Sequence, residues 1–290
     1  MRNLINRGAR KSPLLLVPLV WVFVLLLQPV NAQDAPRVEQ RVSKTFGVTG
    51  VPRVRLETFD GRISVHARNK PEVMVTFIKS AHNEHEMNGI TILANENRGE
   101  FIAAATFDKA FSREVLIRNQ RVLSNSASVD LEVYVPQEVI LYVMSGDGGI
   151  NAEGMNGSLD LSTRDGAIEV RNSRARIRAR TSDGPIQIEN SFGDVSVNTE
   201  EGPIKLDGIF TQLIASTNEG EVTFVVREGT NAFIETTSEH VSNQVSAISD
   251  DVPSSSKNVR RWRIGSGGNT FKLSTRNGTI HLRREQARTR

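Results

Sequence analysis

Between residues 145 and 225 apolar and polar positions recur with a stride of nine. Cut at that stride, the chain reads SGDGGINAE, GMNGSLDLS, TRDGAIEVR, NSRARIRAR, TSDGPIQIE, NSFGDVSVN, TEEGPIKLD, GIFTQLIAS and TNEGEVTFV. In most blocks the sixth and eighth residues are apolar, as in Ile150 and Ala152, Leu159 and Leu161, Ile168 and Val170, Ile186 and Ile188, Val195 and Val197. Apolar residues two apart share one face of a strand. Each block therefore predicts one short strand with a single buried face, preceded by a turn.

The fourth place of the block is the turn. Positions 148, 157, 166, 184, 193, 202, 220 and 229 are glycine, with Ala175 and Thr211 in the two remaining places of the series. Such a glycine is expected to supply the positive φ of a tight turn. Alternate blocks repeat one phrase, TRDGAIEV, TSDGPIQI, TEEGPIKL and TNEGEVTF, so the structural unit is two blocks, or eighteen residues.

Two architectures fit this rhythm. Asp-Gly between alternating strands is a hairpin signal, which would give an antiparallel meander. A meander with one apolar face must bury that face against another layer, and no amphipathic helix between 127 and 225 can supply one. In a two-sided coil the apolar faces meet each other, and each coil stacks on the next. The expected fold is thus an all-β, single-domain β-solenoid (β-helix-like), about 18 residues per coil in two nine-residue sides.

Outside residues 136–225, the regular coils, the period loosens. VRLETFDGRISVHA (54–67) carries the same turn at Asp60-Gly61, and strands are expected at 73–78, 90–94 and 101–106. Residues 107–128 read as a loop or short helical turn, and VDLEVYVP (129–136) as a strand leading into the first full coil. SDDVPSSSKN (249–258) is a surface loop by composition, after which the phrase returns at Asn277-Gly278. Less regular ends are expected of a solenoid, whose exposed core must be capped.

The first 32 residues stand apart. Arg2, Arg7, Arg10 and Lys11 precede an apolar stretch over 13–27 and a small-residue site at Val30-Asn31-Ala32. The expectation is a signal peptide cleaved after Ala32, leaving a single domain over 33–290 in the periplasm or outside the cell. The apolar stretch is broken by Pro18 and shorter than the ~20 residues of a spanning helix. This changes the charge picture. The whole chain carries 36 Lys+Arg against 33 Asp+Glu; without the leader's four basic residues the balance is 32 against 33, or −1 with His neutral. The basic excess belongs to the leader, so nucleic acid is not an expected partner. The absence of cysteine excludes a disulfide framework, a thiol nucleophile and Cys-ligated metal.

VRLETFDGRISVHA, VDLEVYVP leading into SGDGGINAEGMNGSLDLSTRDGAIEV, and GSGGNTFKLSTRNGTI together make the chain resemble the bacterial β-strand-repeat proteins provisionally classed as adhesins, a family of unassigned function. The resemblance covers roughly residues 44–283. It implies an extracytoplasmic β-solenoid and brings no catalytic residues with it.

Candidate chemistry follows from stacking. Residues 18 apart would lie about 4.8 Å apart, so Asp147, Asp165, Asp183, Glu201 and Glu219 would form a column of carboxylates along one edge. Stacked hard oxygen ligands suit calcium, whereas Asp before Gly is also ordinary turn chemistry. RNSRARIRAR points Arg174, Arg176, Arg178 and Arg180 outward from one strand, a basic stripe suited to an acidic polysaccharide or lipid headgroup. Ser158 and Asp160 one coil earlier, and Asp194 and Ser196 one coil later, are expected to pair with the stripe, as is Glu189 with Arg171. His82 and His85 in HNEHE are three apart with no identifiable third ligand.

There is no nucleophile elbow and no phosphate-cradling loop, so no catalytic residue is assigned and no cofactor is expected, calcium apart. The expected role is a non-catalytic, adhesin-like or scaffolding surface in the cell envelope, with an envelope protein or polysaccharide as partner. Two other readings stay open. One is a polysaccharide-acting lyase or hydrolase using carboxylates of stacked coils, against which the regular coils are expected to lack outward Trp and Tyr for sugar stacking. The other is a calcium-stabilised surface protein.

Overall fold

The computed structural model describes residues 37–285 except 98, 118–119, 125, 247 and 251–257, together with a two-residue strand, Val22–Phe23, paired to Val38–Gly47. The rest of residues 1–36, where the signal peptide is expected, and residues 251–257 of the expected 249–258 loop lie outside the described residues.

The period of eighteen is the register of the molecule. Ile63, Ile150, Ile168, Ile186, Ile204, Val222 and Ile280 are successive parallel partners along one side. Leu141, Leu159, Ile177, Val195 and Leu213 stack likewise along the other. All of them are buried. Two parallel β-faces therefore close on each other, and the inward pairs of every coil form one continuous, mainly aliphatic core. The second inward column grows in size along the stack. Ala152, Val170, Ile188, Leu206 and Phe224 follow one another, and the Phe224 ring meets Phe210 and Phe271 with centroids 6.0 and 5.9 Å away.

The chain order is kept only in the middle. Arg53–Thr58 lies between Glu100–Phe107 and Glu138–Ser145, and Ile63–Arg68 between Ser128–Pro136 and Ile150–Glu153. At the other end Asn269–Asn277 lies between Ile204–Glu219 and Ala232–Thr237, and Thr279–Arg284 between Val222–Val226 and His240–Asn243. The first and last copies of the phrase are thus inserted one coil inside the stack. The physical reason is fit. A phrase coil has a parallel edge on both sides and belongs in the interior, which leaves irregular antiparallel strands to close the ends.

Val38–Gly47 with Glu72–Ala81, and Ile90–Asn97 with Glu100–Phe107, cap one end. Val259–Ile264, antiparallel to Ala232–Thr237, helps to cap the other. Residues 109–111 form a 3₁₀ turn, followed by a hairpin of Arg113–Ile117 and Gln120–Ser124.

Candidate functional site

The two edges of the coil are built differently, and each positions one of the candidate groups. At the first edge Thr163, Thr181, Thr199 and Thr217 open the repeated phrase, and each is buried. Thr181 Oγ1 donates to the Gly166 carbonyl at 3.1 Å and accepts from the Gly184 amide at 3.2 Å. The same donation runs from Thr163 to Gly148 (2.9 Å), Thr199 to Gly184 (3.2 Å), Thr217 to Gly202 (3.2 Å) and Thr275 to Gly220 (2.9 Å). Ser145 and Ser238 extend it to Gly61 and Gly278. Each hydroxyl thereby satisfies a buried carbonyl of the coil before it. The signal was present in the sequence as threonine at 18-residue spacing.

The glycines of this edge correct the expectation made for them. Gly202 and Gly220 do have positive φ, at 153° and 147°, but Gly148, Gly166, Gly184 and Gly278 do not. A Cβ on Gly184 would come closer than 3.0 Å to the Gly166 carbonyl, and a Cβ on Gly166 equally close to that of Gly148. Close stacking of coil on coil, rather than turn dihedral, is what most of this column requires.

Outside the hydroxyl ladder stand Asp147, Asp165, Asp183, Glu201 and Glu219, all exposed. Arg164 binds Asp147 and lies 3.6 Å from Asp165, so a guanidinium occupies the space between the first two carboxylates. Among the described residues no three His, Asp or Glu side chains are gathered as a metal site, and His82 and His85 are no exception. The HNEHE segment is a one-turn helix, Glu84–Asn88, capped by Asn83. Its buried Glu86 accepts from the Ser126 hydroxyl at 3.1 Å and so ties down the following segment. Burial raises the Asp60 carboxyl above its ordinary value, against the opposing hydrogen bond from the Gly61 amide, with Asp147 and Asp130 adding to the rise.

The stripe lies on the outer surface of the other side. Arg174, Arg176, Arg178 and Arg180 are exposed and alternate with buried Ala175, Ile177 and Ala179. Register places Ser158 and Asp160 beside Arg176 and Arg178, and Ser196 beside Arg178, as the spacing predicted. The ion pairs run partly on the diagonal. Asp194 is 3.7 Å from Arg176, but Asp160 lies 3.9 Å from Arg180 rather than on Arg178. The Arg174 guanidinium sits over the Phe192 ring at 5.1 Å. Among the described residues no carboxylate pairs with Arg178.

Tyr142 corrects the expectation of no outward tyrosine. It is 41% exposed on Glu138–Ser145, and Arg55 covers its ring at 5.6 Å.

The second edge carries an asparagine ladder that sequence reasoning passed over. Asn172 and Asn190, also 18 apart, adopt φ of 52° and 46°, the left-handed region that Asn tolerates better than most residues. Asn190 donates to Asn172 Oδ1 at 2.7 Å, and Asn172 donates to Glu153 at 3.0 Å. Beside them a groove of about 1230 Å³ is floored by Arg171, Glu189, Asp207 and Val225 and closed by Arg227, Arg283 and Arg284. Its floor charges are matched internally. Lys205 donates to Glu189 at 2.9 Å, Arg171 at 3.3 Å, and Arg227 to Asp207 at 2.8 Å. The bond from Lys205 holds the Glu189 carboxyl below its ordinary range, with burial opposing and Gln187 and Arg171 assisting. A groove whose charges cancel offers less to an ion than the stripe does.

The family model for Toastrack DUF4097 matches residues 51–283, and the chain belongs to that family. Among solved structures it is similar to a provisionally assigned cell adhesion protein from Clostridium sporogenes ATCC 15579, at 10% identity over 85% of this chain and 100% of that one, with a TM-score of 0.37. It is also similar to a provisionally assigned adhesin from Parabacteroides merdae ATCC 43184, at 9% identity over 83% and 95%, with a TM-score of 0.24. Scores this low carry no argument about function. No curated protein matches the chain.

Proposed function

Taking membership of the Toastrack DUF4097 family as the premise, we propose that the mature chain is a non-catalytic interaction surface and scaffold of the cell envelope. The observation that supports this reading is the stack itself. Outward side chains of successive coils stand in columns at the strand spacing, on a continuous apolar core and an edge whose hydroxyls are hydrogen-bonded coil to coil. Such a platform fixes the spacing of surface groups and does not rely on a deep apolar pocket. The leader delivers it outside the cytoplasm. Among the described residues no helix is long and apolar enough to cross a membrane.

The test is fractionation of cells expressing the full chain with a C-terminal tag, followed by N-terminal sequencing and cosedimentation of the mature protein with purified envelope material. The expected result is an extracytoplasmic protein starting at Gln33 that sediments with the envelope and releases no soluble fragments. A cytoplasmic chain retaining its leader would overturn the location, and steady release of sugar fragments would overturn the non-catalytic role.

A further inference from the structure

We propose that the strand Arg174–Thr181 is the binding site for an extended acidic polysaccharide laid along it, an inference that rests on the interaction-surface reading above. Arg174, Arg176, Arg178 and Arg180 form a straight row, since alternate residues of one strand face the same way. Successive guanidiniums are about 6.6 Å apart at the root, and the row is about 20 Å long. A single line of charge suits a linear polymer better than it suits a membrane, which would meet Asp160 and Asp194 on the flanking strands.

The balance of that surface is positive. The outward residues of Asn156–Ser162 and of the 192–199 stretch beside the row include two carboxylates, Asp160 and Asp194, against four guanidiniums. Both pairings are loose, at 3.9 and 3.7 Å, and Arg176 and Arg180 stay 66% and 57% exposed. Exposed pairs of this kind hold their partners weakly, so an incoming carboxylate can replace them. A guanidinium meets a carboxylate through two parallel N–H···O bonds.

Phe192 lies under Arg174 at one end of the row; the remaining outward neighbours are Asn156, Ser158, Ser162, Ser196 and Asn198. They are short, polar and hydroxyl- or amide-bearing, so they leave the arginines standing clear and offer partners to sugar hydroxyls. The backbone beneath does not need to move, because Ala175, Ile177 and Ala179 are locked in the core.

The test is native affinity electrophoresis of residues 33–290 in gels cast with polygalacturonate, neutral dextran or no polymer, at two salt concentrations. The variants are Arg178→Gln, Arg176→Gln/Arg178→Gln, and, as a control of equal charge change, Arg283→Gln/Arg284→Gln in the groove. Circular dichroism checks that each is folded. The expected result is retardation by polygalacturonate alone, weakened by salt. Affinity should fall on the order of 10-fold in the stripe double variant and change little in the groove variant.

No retardation of the wild type overturns the proposal, as does equal loss in both double variants, which would mean net charge alone. Tighter binding to phosphatidylglycerol vesicles than to polygalacturonate, measured by cosedimentation, would reassign the row to a lipid surface. Failure here together with envelope cosedimentation would leave the scaffold reading standing and move its contact elsewhere.

Discussion

The two edges of the coil solve the same turning problem by opposite means. At the first edge the glycine column is demanded by lack of space, since Cβ atoms would run into the carbonyls of the preceding coil, and buried threonines satisfy those carbonyls. At the second edge Gly208 is equally short of space, but at Asn172 and Asn190 the constraint is dihedral. Asn172 and Asn190 accept a left-handed backbone and join their side chains in a ladder at the surface. The first edge rests on packing and buried hydrogen bonds in every coil, whereas at Asn172 and Asn190 the second adds a demand of local conformation. The first should therefore be the more costly to disturb.

Gly184→Ala should have the largest effect, because a methyl group there meets fixed backbone. A loss of about 3 kcal/mol or more is expected from the urea midpoint. Gly229→Ala, where nothing stands within 4 Å but φ is 80°, should cost only about 1–2 kcal/mol. Equal losses at the two sites would remove the distinction between space and dihedral.

Next comes the hydroxyl ladder. Thr181→Val keeps the shape and strands the buried Gly166 carbonyl, for about 1–3 kcal/mol, while Thr181→Ser should recover most of it. If valine is tolerated as well as serine, the ladder is incidental to the packing.

At the second edge Asn190→Ala should cost about 1 kcal/mol from strain and the lost side-chain bonds. Asn190→Gly relieves the strain while still losing the bonds, so it should lie closer to wild type. A glycine variant worse than alanine would mean that the ladder, not the dihedral, dominates.

The smallest effects are in pH dependence, and they have opposite signs. Asp60 titrates higher in the folded protein, so its contribution is fully present below the ordinary 3.8 and is lost as pH rises through the folded value. Asp60→Asn should make the protein slightly more stable at neutral pH. Glu189 titrates lower when folded, so its contribution is present above the ordinary 4.5 and is lost as pH falls through the folded value. Glu189→Gln should slightly weaken the protein at neutral pH and flatten its acid response. Solvent screening keeps each change to about 0.5 kcal/mol or less. Thermal melts between pH 3 and pH 7 would read both, and two slopes of the same sign would contradict the assignment.

Much of this was legible in the chain. The stride of nine, the inward apolar pairs and the outward face of the arginine strand are consequences of strand alternation and a fixed coil length, which are local properties. So were the neighbours of the stripe: Asp160 and Asp194 fall beside it because they lie 18 residues before and after Arg178 and Arg176. The diagonal pairing of Asp160 with Arg180 was not legible, because long side chains choose among several partners within reach. Asn172 and Asn190 had the spacing of a ladder, between Gly154 and Gly208 of the same column, but they open their blocks while the fourth-place glycines mark the turn.

What the sequence determined by itself is the coil: its length, its two sides, its buried pairs and the residues that must be small. Only the tertiary structure decided the order in which coils stack. The phrases at Asp60-Gly61 and Asn277-Gly278 present the same edge, the same hydroxyl and the same glycine as every other copy, so their local pattern is compatible with many neighbours. They lie one coil inside the ends because regular parallel edges pair best with each other, leaving the irregular antiparallel strands to shield the core. The same distinction holds for the glycines. Their spacing is written in the chain, but whether each is needed for its dihedral or for its closeness to the coil beneath is settled only when that coil is in place.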